Sequence, residues 1–384
     1  MKGKILLVCV GVITALSIAE ITLRVVAKFN PPGRFIYAPN HTYYFHPDSS
    51  ILVGIHGEKK FKTNAQGFRG DEDFTDTTYN VLCVGGSTTE CNYLDNNETW
   101  YSLLNQSPAI ARLMGAGKKH VVIASVGLSG QTSFENYFML NELLLKHKNI
   151  HQVILMCGIN DFVKVLAKPS LNISVVNQKD SLAQAHSISR YWYIPGRIND
   201  TTWTGHSALF HALRAQFFTP PSKNTVDRRG DIIKQWRVNY SSRSKVLDTL
   251  PDLTQSLKIF HQNIEQIATL CAAHQVKLLC INQATLWQDS LSENLSALLW
   301  MGGIGKYQEQ NGGVYYSPKA LAAGMRMFNE VLKSTTSTHN IMSIDIAGKL
   351  PKDTSVFYDD CHFNESGARK VADEILSQLK SFNP

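Results

Sequence analysis

A chain of 384 residues, 43% hydrophobic and 18% charged, is long enough to bury a sizeable core and too apolar to be disordered throughout. Its formal charge of +7 is spread along the chain without a zinc-finger spacing, an aromatic RNA-binding motif or a basic heptad array, which argues against nucleic-acid binding. The 7 cysteines are irregularly spaced and form no Cys-x-x-Cys pair, so neither a disulfide scaffold nor a zinc site is indicated and the compartment stays open.

The first predicted element is residues 1–29. Lys2 and Lys4 precede an apolar run from Ile5 to Ala19, and Glu20 and Arg24 interrupt a pattern that continues to Ala27. Such a run is a membrane anchor or an export signal. Ser17 and Ala19 suit a signal peptidase, whereas the four-residue spacing of Glu20 and Arg24 suits a helical ion pair near the interface. The uncleaved anchor is the preferred reading. It places the rest of the chain on the extracytoplasmic side of a membrane, or in secretion if the segment is cleaved.

Residues 30–79 are rich in Pro, Gly, Asn and Asp and read as an irregular lead-in. Over 80–382, five apolar runs predict strands: Val81 to Val84, Val121 to Ala124, Val153 to Met156, Val276 to Ile281 and Ile341 to Ile346. Each is a continuous apolar run, and Cys83, Cys157 and Cys280 within or beside them are expected to be buried thiols. Helical patterns lie between, with apolar faces at Leu253, Leu257, Phe260, Ile264, Ile267 and Cys271 and at Ala368, Val371, Ala372, Ile375 and Leu379. Strands alternating with helices require crossovers, which give a parallel sheet covered on both faces: an α/β fold, a three-layer α/β/α sandwich of about five strands.

Two segments break the alternation as insertions, at about 163–250 and 284–316. The first includes the locally basic stretch 227–237, read as a solvated face. The second holds Trp287, Trp300 and the glycines 302, 303, 312 and 313. Both follow the C-terminal ends of strands, where open α/β sheets bind ligands, so they are expected to wall or cap a site.

The chemistry concentrates at four places. The first strand runs into Gly85-Gly86-Ser87-Thr-Thr-Glu, whose glycines let the chain turn sharply and expose Ser87. By itself this is also compatible with a phosphate-cradling turn, although a Walker lysine and a dinucleotide spacing are absent. Asp359-Asp-Cys-His362 precedes the last helix; a carboxylate there would orient the imidazole of a general base. Metal ligation by Asp359, Asp360 and His362, or a polar helix entry, reads that loop equally well. Two more strand ends, Gly127-Leu-Ser-Gly130-Gln-Thr and Gly158-Ile-Asn160-Asp161, offer backbone and amide donors to an oxyanion.

In this order, Gly-Gly-Ser87-Thr, Ser-Gly130-Gln-Thr, Gly-Ile-Asn160-Asp and Asp359-Asp-Cys-His362 resemble the four signature blocks of the SGNH (GDSL-like) hydrolases, in their membrane-anchored bacterial form. The resemblance covers about 80–163 and 250–382. It implies a flavodoxin-like sheet, Ser87 as nucleophile, His362 as base and Asp359 as its orienting acid. Ser87, Gly130 and Asn160 would be the oxyanion donors, with Gly127 a rival to Gly130. One departure is that the family's frequent Gly-Asp-Ser-Leu wording is Gly-Gly-Ser-Thr here. Thr63-Asn64-Ala-Gln-Gly67-Phe68-Arg69-Gly70 also resembles a segment that precedes the first block in anchored members; Arg69 is read as part of a packed turn, with substrate binding as the alternative.

The expectation is therefore a serine esterase acting through an acyl-serine intermediate, with no metal or organic cofactor required. Its expected partners are an acylated glycan or lipid substrate and, through residues 1–29, a membrane. O-acetyl groups on a cell-envelope or secreted polysaccharide come first, because exposed Trp and Tyr in the insertions would stack on sugar rings. Lipid esters and an O-acyltransferase of the same fold follow, and a non-catalytic glycan-binding or assembly protein is the rival class. Asn-x-Ser/Thr sequons, Asn40, Asn97 and Asn172 among them, also permit a eukaryotic secretory setting.

Overall fold

Strands covered on both faces have no reason to alternate apolar with polar, and the five apolar runs do assemble into one parallel sheet. The structure is a computed structural model and describes residues 2–29, 34–168, 191–193, 207–217 and 229–382. The sequon at Asn172, part of the first insertion, and Asp227 and Arg228 of the basic stretch lie outside the described residues.

Two short strands precede the sheet, β1 (Thr42–Phe45) and β2 (Lys59–Lys62), and pair antiparallel. The lead-in is thus less irregular than its composition suggests. Four-residue strands leave almost no periodicity to read, and only Lys59-Lys-Phe-Lys alternates buried with exposed positions. The sheet itself consists of β3 (Tyr79–Gly85), β4 (Val121–Ser125), β5 (Ile150–Met156), β7 (Lys277–Ile281) and β9 (Met342–Ile344), in the spatial order β4-β3-β5-β7-β9. All four pairings are parallel. Every residue of β3 is buried, and Val81, Leu82, Cys83 and Val84 have no exposed surface. Cys157 and Cys280 are likewise buried.

The helices cover both faces. On one side Thr254–Ala273 packs against Ser133–Lys146 and Pro318–Thr338; on the other Glu365–Phe382 packs against Trp100–Asn105 and Ile110–Leu113. Thr254–Ala273 buries Phe260, Ile264, Ile267 and Cys271, and Glu365–Phe382 buries Ala368, Val371, Ala372, Ile375 and Leu379, the faces their spacing predicts. Full burial of a large aliphatic or aromatic side chain contributes about 1.5–3 kcal/mol, so these stripes dock the layers onto the sheet.

In this strand order the chain leaves β3 in one direction to β4 and returns past it to β5. The crevice for a ligand therefore opens at the C-terminal ends of β3 and β5. The insertions meet there and are joined to each other. Strand β6 (Lys245–Leu247) of the first pairs parallel with β8 (Val314–Tyr316) of the second. Arg237, in the helix Arg229–Ser241, donates to the carbonyls of Leu298 at 3.2 Å, Ile51 at 2.6 Å and Tyr358 at 2.6 Å. The basic stretch is therefore not simply a solvated face: its Arg237 clamps the lead-in and the second insertion to the loop that carries His362.

The helix Lys2–Phe29 forms as its composition requires. Its segment Gly3–Val26 is long and apolar enough to cross a membrane, with mean hydropathy 2.3 and 0% of the window buried. The Arg24–Glu20 ion pair forms at 2.7 Å.

Candidate active site

Ser87 is the first residue of the helix Ser87–Glu90, directly beyond β3. The two glycines before it serve space rather than an unusual backbone. Gly86 has φ −89°, open to any residue, but a Cβ there would lie 2.5 Å from Asn160 Nδ2. A Cβ on Gly85 would lie 2.3 Å from both the Met156 carbonyl and Thr89 Oγ1. Being first in its helix, Ser87 also leaves its N–H unused by the helical ladder and available to a ligand.

The structure brings Ser87, His362 and Asp359 together across 275 positions of sequence. His362 Nε2 lies 2.7 Å from Ser87 Oγ, and His362 Nδ1 lies 2.7 Å from Asp359 Oδ2 and 2.8 Å from Oδ1. Asp359 is 0% exposed and also accepts from the N–H groups of Cys361 at 3.0 Å and His362 at 2.9 Å and from Trp300 Nε1 at 3.0 Å. Burial alone would raise its pKa; the facing imidazolium and these hydrogen bonds outweigh burial and bring it down to about 2. Burial alone would lower the His362 pKa, but the Asp359 charge reverses that and holds it well above 6.5. An imidazole poised this way accepts a proton from Ser87 readily.

The oxyanion candidates converge on the same place. Gly130 (φ +81°) faces open space, whereas a Cβ on Gly127 would meet the Glu90 N–H nitrogen at 2.6 Å, and the Gly127 N–H already donates to Ser125 Oγ at 3.1 Å. That separates the two glycines: Gly127 packs the loop on the helix of Ser87, and Gly130 faces the cavity beside Ser87. Asn160 follows Gly158, whose φ of +118° is a conformation L side chains rarely adopt. One Asn160 amide hydrogen goes to the Gln131 carbonyl at 2.8 Å, leaving its second donor.

Several supporting residues escaped sequence reasoning. Glu90, in the Ser87 block, is buried and accepts from the Ser129 N–H at 2.9 Å and from its hydroxyl, fixing the loop that presents Gly130. Asp161, beside Asn160, is 0% exposed and accepts from Ser133 N at 3.0 Å and Ser133 Oγ at 2.5 Å; burial pushes its pKa up to about 7. Asp161 directly follows Asn160 and Glu90 lies three residues after Ser87, and that nearness was the signal available in the sequence. Trp300 carries no such signal, being 59 positions from the carboxylate it supports.

Asp360 does not join a metal set with Asp359 and His362. Its oxygens accept from Trp287 Nε1 at 2.8 Å, Trp300 N at 2.8 Å and Met301 N at 3.2 Å, tying the second insertion to the loop that carries His362. Asp359, Cys361 and His362 place their donor atoms within 4.8 Å. Yet His362 Nδ1 is already engaged by Asp359 and Nε2 by Ser87 Oγ, so both imidazole nitrogens are committed to the relay.

Arg69 is 1% exposed and does not line the cavity over Ser87. It donates to Asn96 Oδ1 at 3.0 Å and to the carbonyls of Cys91 at 2.7 Å, Leu94 at 2.5 Å and Glu90, and its backbone pairs with Ser125 of β4. It is part of a packed turn that secures the exit of the Ser87 helix and covers the sheet edge.

A cavity of about 420 Å³ opens over Ser87, Gly130, Asn160 and His362. Its walls include Ile232, Ile233 and Trp236 from the first insertion and Trp300, Met301 and Tyr307 from the second, so both insertions do wall the site. Of the insertion tryptophans, Trp287 has no exposed surface and Trp300 is 6% exposed, each spending its N–H on a carboxylate, whereas Trp236 is half-buried and lines the cavity. A larger groove of about 720 Å³, bordered by Asn282, Arg326, Lys333 and Lys352 beside β9, holds no serine–histidine pair.

No family model and no curated protein matches the chain. Solved structures do resemble it. A psychrotrophic esterase from Pseudoalteromonas sp. shares 13% identity at TM-score 0.35, covering 79% of this chain and 97% of its own. A lipolytic protein of the G-D-S-L family from Veillonella parvula shares 14% at TM-score 0.40, covering 78% and 97%. An acetylxylan esterase from Geobacillus stearothermophilus shares 11% at TM-score 0.39, covering 79% and 96%. The functional reading therefore rests on the side-chain geometry.

Proposed function

We propose that this chain is a membrane-associated serine esterase working on the extracytoplasmic side. The observation that carries the reading is the relay from buried Asp359 through His362 to Ser87, with both imidazole nitrogens at 2.7 Å from their partners. A fold kept only for binding has no need of it.

In the proposed reaction Ser87 Oγ attacks the ester carbonyl while His362 Nε2 takes its proton. The negative oxygen accepts from the Ser87 N–H, the Gly130 N–H and Asn160 Nδ2. Collapse expels the alcohol, which receives the proton from His362, and leaves an acyl-serine. Water, deprotonated by the same imidazole, then releases the acid. Each oxyanion donor is worth about 2.7–4 kcal/mol in the transition state.

Among the described residues the cavity lining contains no Lys, Arg, Asp or Glu, which favours an uncharged acyl ester. O-acetyl groups on an envelope or secreted glycan are the first substrate class. The apolar wall of Val163, Ile232, Ile233 and Met301 specifically favours a second, longer acyl esters presented by lipid. The test is hydrolysis of p-nitrophenyl acetate, butyrate and octanoate by the full chain in detergent, beside Ser87→Ala. Loss of turnover in the variant supports the serine mechanism, and the preferred chain length separates the two classes. Equal rates in both proteins would remove the catalytic reading.

A further inference from the structure

The cap is also joined to the N-terminal helix, through a contact that catalysis does not use. Glu20 accepts from Ser207 Oγ at 2.9 Å and from the backbone N–H groups of Ala208 at 2.9 Å and Leu209 at 2.8 Å, at the start of the helix Ala208–Phe217. A carboxylate at a helix N-terminus satisfies donors that the helix cannot satisfy itself and offsets the positive end of its dipole. The position of Glu20 in its own helix sets the level at which this happens. From Gly3 to Glu20 the rise is about 26 Å, close to the roughly 30 Å of a hydrocarbon core, so Glu20 reaches the far boundary as Lys2 and Lys4 hold the near one. At that level Ala208–Phe217 turns outward Leu213, 48% exposed, and Phe210, 36% exposed. Three positions apart, these two lie on one helical face.

We propose that Ala208–Phe217 is a membrane-surface helix, docked on the spanning helix through Glu20, with Leu213 and Phe210 entering the headgroup–acyl boundary of the bilayer. The proposal builds on the reading that the N-terminal helix spans the membrane from about Gly3 to Glu20, within the apolar segment Gly3–Val26. It makes the N-terminal helix a permanent part of the folded protein, since cleavage after Ala19 would remove the span that holds Glu20 at this depth.

The test uses the full chain in phosphatidylcholine vesicles. Cys9 is the one exposed thiol among the described residues, so Cys9→Ser permits a single fluorophore at Leu213→Cys, with Thr269→Cys, exposed on a sheet-covering helix, as the aqueous reference. Lipids carrying a nitroxide quencher near the headgroup should quench the label at 213 about threefold more than the label at 269, as expected for an interfacial helix, and Glu20→Ala should remove the difference. Equal quenching at the two sites, in a chain that alkaline carbonate leaves in the membrane pellet, overturns the surface helix. Release of the chain by carbonate overturns the spanning reading beneath it. A difference that survives Glu20→Ala overturns the role of Glu20.

Discussion

Gly86→Ala isolates one interaction of the site without touching the Ser–His–Asp relay. The added Cβ would lie 2.5 Å from Asn160 Nδ2, so the amide must retreat by about 1 Å to reach ordinary contact, a displacement that in an active site costs about 10²-fold. Retreat also disturbs the 2.8 Å bond from Asn160 to the Gln131 carbonyl. Because Gly86 has φ −89°, the backbone tolerates alanine and the fold should persist. The expected loss in kcat is therefore that of one oxyanion donor, about 10²- to 10³-fold or 2.7–4 kcal/mol. The KM should change little, since the donor acts on charge that develops only in the transition state. The assay is steady-state ester hydrolysis by Gly86→Ala, Asn160→Ala and the double variant, beside thermal unfolding. Because both changes remove one interaction, the double variant should be no slower than the slower single one. Wild-type kcat in Gly86→Ala, or additive losses in the double variant, would refute the placement of Asn160 over the nucleophile. Gly85→Ala makes the contrast: its Cβ would meet the Met156 backbone at 2.3 Å, so it should lower the unfolding temperature and the yield of folded protein.

Arg69→Met should destabilise the chain by several kcal/mol, since each carbonyl left unpaired in the interior costs about 1–3 kcal/mol; chemical denaturation measures the loss, and KM in the folded fraction should stay unchanged. Because His362 must be neutral to accept the Ser87 proton and its pKa is held well above 6.5, activity should rise with pH along a limb lying above that value. Asp359→Asn should move the limb down in pH while lowering kcat about 10⁴-fold. Trp300→Phe removes one donor to Asp359, so the carboxyl pKa should rise from about 2; a hydrogen bond to a charged group is worth about 1.5–3 kcal/mol, and a kcat loss of about tenfold or more is expected. Trp236→Ala widens the cavity beside Ile232 and Ile233 and should shift the preferred p-nitrophenyl ester toward longer acyl chains, with acetate turnover reduced about fivefold by the loss of about 1 kcal/mol of contact.

The sheet and the residues of the relay were legible because both leave local marks. A strand buried on two faces must be apolar at every position, as Val81 to Val84 are, and the bends at strand ends call for glycine where a neighbouring side chain comes close, as at Gly86, or where φ is positive, as at Gly158. The helices announced themselves equally, since Thr254–Ala273 and Glu365–Phe382 bury the apolar stripes written in their spacing. The choice between Gly127 and Gly130 was legible only through the Gln-Thr that follows Gly130, and the packing of Gly127 against Thr89 and Glu90 supplies the physical difference between them. The roles of the insertions were not legible. The aromatics of the insertions read as surfaces for stacking on a sugar ring, yet Trp287 and Trp300 are buried with their N–H groups committed to Asp360 and Asp359.

The sequence by itself determined the periodicities, and with them the layers, the strand ends and the residues able to act as nucleophile, base and acid, because these depend on near neighbours in the chain. Only the tertiary structure decided which of those residues meet. The 2.7 Å contact between Ser87 and His362, the Arg237 clamp and the seat of Glu20 on Ser207 and Ala208 each join distant segments. Such contacts are selected by shape, burial and paired charge after the layers have closed, and no local pattern encodes them.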